Sequence, residues 1–421
     1  MAAIDADALK SYSFTLFSKL EGAVTALMIH LGDRLGLYRA LADVDAPVTS
    51  AELASRTGLD ERWVREWLYN QGAAKLVAFD DTGSRFWLTP EGVAVTADPD
   101  SPYYGMGMFL RMPSMSLAVE PLVESFHTGV GYDYDARGTD VASSVEMGMA
   151  PWYRHNLVPV VVPMLDGVED RLRDGGRAVD IGCGSGQAVL TLADAFPEAD
   201  VRGYDISALA LERAEANRAA RGVANASFHD ARTDPLPTDG ATDFVITFDC
   251  IHDMTHPQEM MAAIREAIAP NGSWLLVDIK ARESFTENAA KNPMASMMYG
   301  MSVMSCMASA LSAPGGAGLG GGTGGVAHVL PAATERIEQH VDEHRRSLPG
   351  RRAVPERLPG TGVHRLGIAG APRTLSGTGS CRAPSALFER SESAPKRRRI
   401  IRAGSRRRRS PDGRPGGAGT G

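Results

Sequence analysis

Two short stretches of this chain hold side chains of the kinds that grip a charged ligand and move protons. Residues 178–187, Ala-Val-Asp-Ile-Gly-Cys-Gly-Ser-Gly-Gln, run an apolar strand into three alternating glycines, Gly182, Gly184 and Gly186. Glycine permits positive φ and lets a ligand lie against bare backbone. Such a turn suits any nucleotide, but Asp180, two positions before the first glycine, would repel a pyrophosphate. The pattern therefore favours a ligand with a cationic or amino-bearing end. Residues 248–257, Phe-Asp-Cys-Ile-His-Asp-Met-Thr-His-Pro, set His252 beside Asp253. A histidine, with a free pKa of about 6.5, can accept a proton near neutral pH. The alternatives are a strand-end histidine with no proton to move, and a transfer that proceeds by proximity alone. Asp253 either holds a neighbouring nitrogen or caps the next helix. His252 and His256 stand four apart, but no Glu adjoins the first and Pro257 disfavours a helix there, so no metal is expected.

The elements that must position these residues alternate. Strands are expected at 178–182, 201–206, 226–229, 243–248 and 273–279. Helices are expected at 187–196, 207–221 and 257–269, the last stopped by Pro270-Asn271-Gly272. Alternation of this kind predicts an α/β fold with a doubly wound parallel sheet, which binds ligands at the carboxyl ends of its strands. Asp180, Asp205 and Asp230 all fall at such ends. Asp205 suits a pair of ribose hydroxyls and Asp230 an adenine amino group. Ahead of the sheet, residues 1–95 read as helix, turn, helix and hairpin, a mainly α winged-helix domain. Residues 96–165 read as a helical linker and pocket region rich in Met and Tyr. Met106, Met108, Met112 and Met115, with Met294, Met297, Met298, Met301, Met304 and Met307, suggest either an adaptable apolar pocket or a packing face.

These motifs resemble the class I S-adenosylmethionine-dependent methyltransferases, over roughly residues 140–312. A winged-helix domain ahead of the sheet is typical of their small-molecule O-methyltransferase branch. The resemblance implies a Rossmann-like domain over 166–314 with S-adenosylmethionine as cofactor. That cofactor would be held by Asp180, Gly182, Gly184, Gly186, Asp205, Asp230 and Ala231, with Phe248 or Asp249 near the adenine-side mouth. The segment at 252–254 looks like that branch's His-Asp-Trp, which makes His252 the general base; Met254 departs from the pattern. A dehydrogenase is the rival, but its fingerprint wants Gly or Ala where this chain has Gln187.

Charge divides the 421 residues unevenly. Residues 315–421 hold 20 of the 44 Lys+Arg and 8 of the 51 Asp+Glu, so the tail carries +12 and the rest 24 − 43 = −19. The tail, with Phe388 as its one aromatic, reads as a disordered basic segment. Its Arg, Gly and Pro drift also fits an out-of-frame translation beginning shortly after Gly318, or a nucleic-acid-binding arm. Either way the sheet is expected to lack its closing strands. The scattered Cys183, Cys250, Cys306 and Cys381 read as reduced thiols, and no segment is expected to span a membrane. The expected protein is a cytoplasmic homodimer, joined through its N-terminal domain, that methylates a small apolar or aromatic molecule. Nucleic acid is not an expected partner, because the second winged-domain helix is close to neutral. The alternatives are a DNA-binding regulator that senses the cofactor, and a catalytically dead fragment.

Overall fold

The computed structural model describes residues 4–138, 140–279, 281–282, 284–321, 356–357 and 363–368. The N-terminal domain packs α1 (Ala6–Arg34), α2 (Leu37–Ala42), α3 (Ser50–Thr57) and α4 (Glu61–Ala73) beside a hairpin of β1 (Ala78–Phe79) and β2 (Phe86–Trp87), followed by α5 (Pro90–Thr96). Caps set these boundaries. Thr49 and Glu52 form a reciprocal capping box on α3, and the Asp60 carboxylate accepts from the first turn of α4. Trp67 anchors the core: its indole donates to the Met28 carbonyl at 2.9 Å and its ring meets Tyr38 edge-on at 5.1 Å. α1 presses so close that a Cβ at Gly32 would stand 2.4 Å from that indole.

α1 is long and apolar enough to cross a membrane by length and composition alone. Its C-terminal part packs against the domain through Thr25, Ile29 and Gly32. Leu9, Leu16, Leu20, Val24, Leu27 and Leu31 are exposed along it.

Short helices α6 (Gly107–Leu110), α7 (Met112–Leu117) and α8 (Val119–Thr128) lead to a single turn at Tyr134–Arg137. α9 (Asp140–Trp152) then runs into a wide helical turn, Tyr153–Val161, and a tight one, Val162–Met164, before α10 (Val168–Arg173). Proline lacks the N–H that a regular turn needs, and the wide turn absorbs Pro159 without breaking the path.

The sheet is doubly wound as expected. β3 (Arg177–Ile181), β4 (Asp200–Asp205), β5 (Ala226–Asp230), β6 (Thr242–Phe248) and β7 (Ile268–Ile279) lie parallel in the order β5-β4-β3-β6-β7. α11 (Gln187–Ala195), α12 (Ala208–Arg221) and α13 (Pro257–Ala267) make the crossovers. Ala178, Val179, Phe244, Val245, Ile246, Leu275 and Leu276 are fully buried, as strands covered on both faces require. Pro270-Asn271-Gly272 does not stop a helix. α13 ends at Ala267, and the triplet bulges within β7, where pairing jumps from Thr242–Ile268 to Phe244–Ser273.

The expectation of missing closing strands is also corrected. β9 (Val363–Ile368) pairs parallel with β7 from Trp274–Val363 to Ile279–Ile368, and β8 (Glu356–Arg357) pairs antiparallel outside it. The remainder of the expected disordered tail beyond Gly321 lies outside the described residues. Between sheet and tail, α14 (Phe285–Lys291), α15 (Ala295–Met301), a wide turn at Ser302–Cys306 and α16 (Met307–Ala310) build one wall of the cleft. The methionines do not gather into one pocket. Met106 belongs to the N-terminal core, whereas Met108, Met294, Met297 and Met307 are exposed.

Candidate active site

Each glycine of the turn after β3 adopts positive φ, at 71°, 54° and 77° for Gly182, Gly184 and Gly186. Their surroundings differ. A Cβ on Gly182 would lie 2.6 Å from the Cys250 Cβ, and one on Gly186 would lie 2.4 Å from the Phe228 ring. Gly184 has nothing within 4 Å of that position. The outer two glycines fit the turn to the protein, and the middle one leaves backbone open to a ligand.

Acidic side chains surround that opening. Asp180 is buried at the end of β3 and its Oδ1 has no hydrogen-bond partner. Burial, with Asp205 nearby, holds its pKa well above the usual carboxylate range. Asp249, just past β6, has a strained φ of 46° and a buried, unpartnered Oδ1. Burial, then the neighbouring Asp278, pushes its pKa up to about 7. Asp205 ends β4 and braces the turn: its Oδ2 accepts from the Gly184 N–H and its Oδ1 from the Ser207 N–H, both at 2.8 Å. The Ile206 N–H also hydrogen-bonds this carboxylate, and since a carboxylate offers about four lone-pair sites, acceptor capacity remains for a ribose hydroxyl.

The adenine-side residues divide. Asp230 lies beside Asp205 in register, but its carboxylate is held by Arg232 at 2.9 and 2.8 Å. Ala231 lines an apolar cavity of ≈ 300 Å³ with Ile181, Tyr204, Leu236 and Met260. Phe248 is packed edge-on against Trp152 and Tyr153, with centroids 5.3 and 5.0 Å away. It belongs to the sheet core, whereas Asp249 carries a buried, unpartnered oxygen.

His252 is 2 % exposed. Its Nδ1 bonds Asp278 Oδ1 at 2.7 Å, and its Nε2 stands 3.0 Å from Asp253 Oδ1. Burial opposes charge on the ring, but Asp253 and Asp278 outweigh it and raise the pKa well above 6.5. Both ring nitrogens thus face carboxyl groups, an arrangement that favours the protonated ring. Cys306 completes a cluster whose His252, Asp253 and Cys306 ligand atoms lie within 4.8 Å of one another.

Four contributors escaped the sequence reading. Asp278 ends β7, a strand-end acid like the other three and legible by the same rule. Cys306, Arg111 and Arg137 carried no local signal. Arg137 donates to Ser305 Oγ and to the Ser305 carbonyl, both at 2.7 Å, and also to Ser309 Oγ. Arg111 reaches the same Ser305 Oγ at 3.4 Å. Backbone bonds from Gly131 to Leu311 and from Tyr132 to Ala308 zip this loop onto the far wall.

Comparison with known proteins agrees with this architecture. Residues 172–335 match the family described as Methyltransferase domain, and residues 23–97 match the Rv2258c-like winged HTH domain. The first match runs past Gly318. An ubiquinone biosynthesis O-methyltransferase from Cupriavidus pinatubonensis is 29% identical over 120 residues, 28% of this chain and 46% of that protein. A release factor glutamine methyltransferase from Neisseria gonorrhoeae is 34% identical over 90 residues, 21% of this chain and 33% of that one. The chain thus spans less than half the length of these relatives. The solved structure of a candidate O-methyltransferase from Nostoc punctiforme shares the fold, with TM-score 0.54 and 16% identity over 78% of this chain and 93% of that one.

Proposed function

We propose that this chain, a class I S-adenosylmethionine-dependent methyltransferase fronted by a winged-helix domain, methylates a hydroxyl oxygen on a small apolar or aromatic acceptor. One observation carries the reading. Two buried carboxylates, Asp180 and Asp249, present unpartnered oxygens beside an open glycine turn. Buried acids without donors are costly unless a cation meets them, and a sulfonium with an α-ammonium group supplies that charge. A bound cofactor would supply an electrophilic methyl group for the acceptor oxygen, with a neutral thioether as the leaving group.

The chain's own residues do the rest. Gly184 leaves room for the ligand, Asp205 fixes the turn and accepts from the ribose, and Ala231 with its apolar neighbours takes the adenine. His252 and Asp253 receive the hydroxyl proton in turn: Asp253 Oδ1, 3.0 Å away, first takes the Nε2 proton, and the freed Nε2 then accepts the proton of the hydroxyl. Asp278 holds Nδ1 throughout. The matched relatives name different acceptors, one an O-methyltransferase and one acting on glutamine, so the oxygen preference rests on the His252 pair.

A DNA-reading role is the weaker alternative. The arginines of α4 are satisfied within the helix, Arg62 by Glu66 at 2.6 Å and Arg65 by Glu61 at 2.9 Å, which leaves little cationic charge for phosphates. The apolar face of α1 suits a second copy of the chain, in a cytoplasmic homodimer. The test is to supply S-adenosylmethionine with a panel of phenols and aliphatic alcohols and measure S-adenosylhomocysteine release. Turnover that His252→Gln diminishes supports the reading. Cofactor binding without turnover on any hydroxyl would leave the sensing regulator in its place.

A further inference from the structure

Beside the His252 cluster lie two arginines that the transfer chemistry does not use. Arg111 and Arg137 converge on one hydroxyl, Ser305 Oγ, and the next residue, Cys306, touches the His252–Asp253 pair. A guanidinium carries five N–H donors. Arg111 spends one on a 3.4 Å contact, and the Nε of each arginine is buried without a partner. Tyr134 lies under Arg137, its ring centroid 4.6 Å from the guanidinium carbon. Among the described residues, no carboxylate comes within ion-pair distance of either arginine. Asp253 attracts both from farther away and stands nearer to His252, 3.0 Å from its Nε2.

Two half-buried cations sharing a serine, without an acid between them, repel each other and want an anion. We propose that Arg111 and Arg137 seat a carboxylate of the methyl acceptor, so that the substrate is a hydroxy acid with an aromatic or apolar body. The inference rests on the methyl-transfer reading above. A planar carboxylate matches the guanidinium fork in two parallel bonds, which would orient as well as bind. The cationic end of the cofactor belongs to Asp180 and Asp249 across the glycine turn, and the arginines stand on the histidine side, where the acceptor hydroxyl must arrive.

The experiment is calorimetric, on the full chain saturated with S-adenosylhomocysteine, titrated with salicylate, 4-hydroxybenzoate and 3,4-dihydroxybenzoate and with their methyl esters. At least one acid should bind tenfold or more tighter than its ester. Arg111→Gln should erase that preference, and Arg111→Lys, which keeps the charge, should restore part of it. Arg137→Gln should act likewise; because Arg137 also pins Ser305 and Ser309, the Arg111 variants decide if it misfolds. Acids and esters binding alike, or neither binding, would overturn the proposal. So would an Arg111→Gln chain that loses affinity for S-adenosylmethionine but keeps it for 5′-methylthioadenosine, since the seat would then serve the cofactor's own carboxylate. Failure of the wild-type chain to bind either adenosyl compound would instead strike the methyl-transfer reading itself.

Discussion

Gly184 and Gly186 stand two residues apart in one turn, yet substitution at each tests a different property. Alanine at Gly186 forces a left-handed backbone and drives a methyl into Phe228, so it should destabilise the fold by about 3 kcal/mol. Alanine at Gly184 meets open space and should cost about 1 kcal/mol of stability, while placing a methyl where the cofactor must lie. Chemical denaturation and cofactor titration of both variants should therefore separate: folding suffers at Gly186, binding at Gly184. Equal binding by wild type and Gly184→Ala would remove that backbone from the site. His252 makes a second prediction. A base whose protonated form is favoured must lose its proton first, so kcat/KM should rise with pH through an apparent pKa above the ordinary histidine value. His252→Gln should lower the rate by roughly 10²- to 10⁴-fold and abolish the rise; a profile flat from pH 6 to 9 in the wild type would mean transfer by proximity alone. Asp180, the glycines and His252 were legible because their signals are local in sequence. Arg111 and Arg137 were not, since an isolated arginine in a loop reads as solvated until the fold brings it to Ser305.

The exposed face of α1 repeats at intervals of three and four residues, through Leu16, Leu20, Val24, Leu27 and Leu31, the spacing that packs one helix along another. Leu16→Glu with Leu20→Glu leaves Thr25, Ile29 and Gly32, the buried contacts, untouched. Light scattering should find the wild type dimeric and the double variant monomeric with an unchanged circular dichroism spectrum. A monomeric wild type would leave that face to another partner. In the sheet domain, periodicity and caps gave β3 to α13 to within two residues at each end, while β7 begins five residues earlier than expected. Where the reading failed, a chain breaker was absorbed by a neighbour. Pro270-Asn271-Gly272 became a bulge because β6 offers Thr242 as a pairing partner before it and Phe244 after it. β8 and β9 escaped notice because an Arg- and Gly-rich run has little strand character of its own; β7 supplies the edge that orders them.

Proton uptake links the cleft to the stability of the entire molecule. Asp180 and Asp249 have raised pKa values, Asp249 to about 7, so the folded chain keeps protons that the unfolded chain releases above pH about 4. His252, also raised, contributes stability that is complete below about 6.5 and is lost as pH climbs through its folded value. In each case the folded state binds more protons, so stability declines as pH rises. The Tm of the cofactor-free protein should fall between about pH 5.5 and 8.5. S-adenosylmethionine at a hundred times its Kd should add about 2.7 kcal/mol and flatten the slope, because its positive charges favour the ionised acids. A Tm that climbs over this interval would refute the assignment of these groups. The turn at Tyr134–Arg137 joins the two halves of the cleft in another way. Asp135 bonds Ser207 Oγ and the Ala208 N–H, next to the Asp205 that braces the glycine turn, and Arg137 grips Ser305 and Ser309 opposite. A clasp fastened at both ends predicts an order of arrival: the cofactor first, beside the Ser207 end, and the proposed acceptor second, at the Arg137 end, with departure in reverse. The methylated product should then inhibit noncompetitively against the acceptor, where independent entry would give competition.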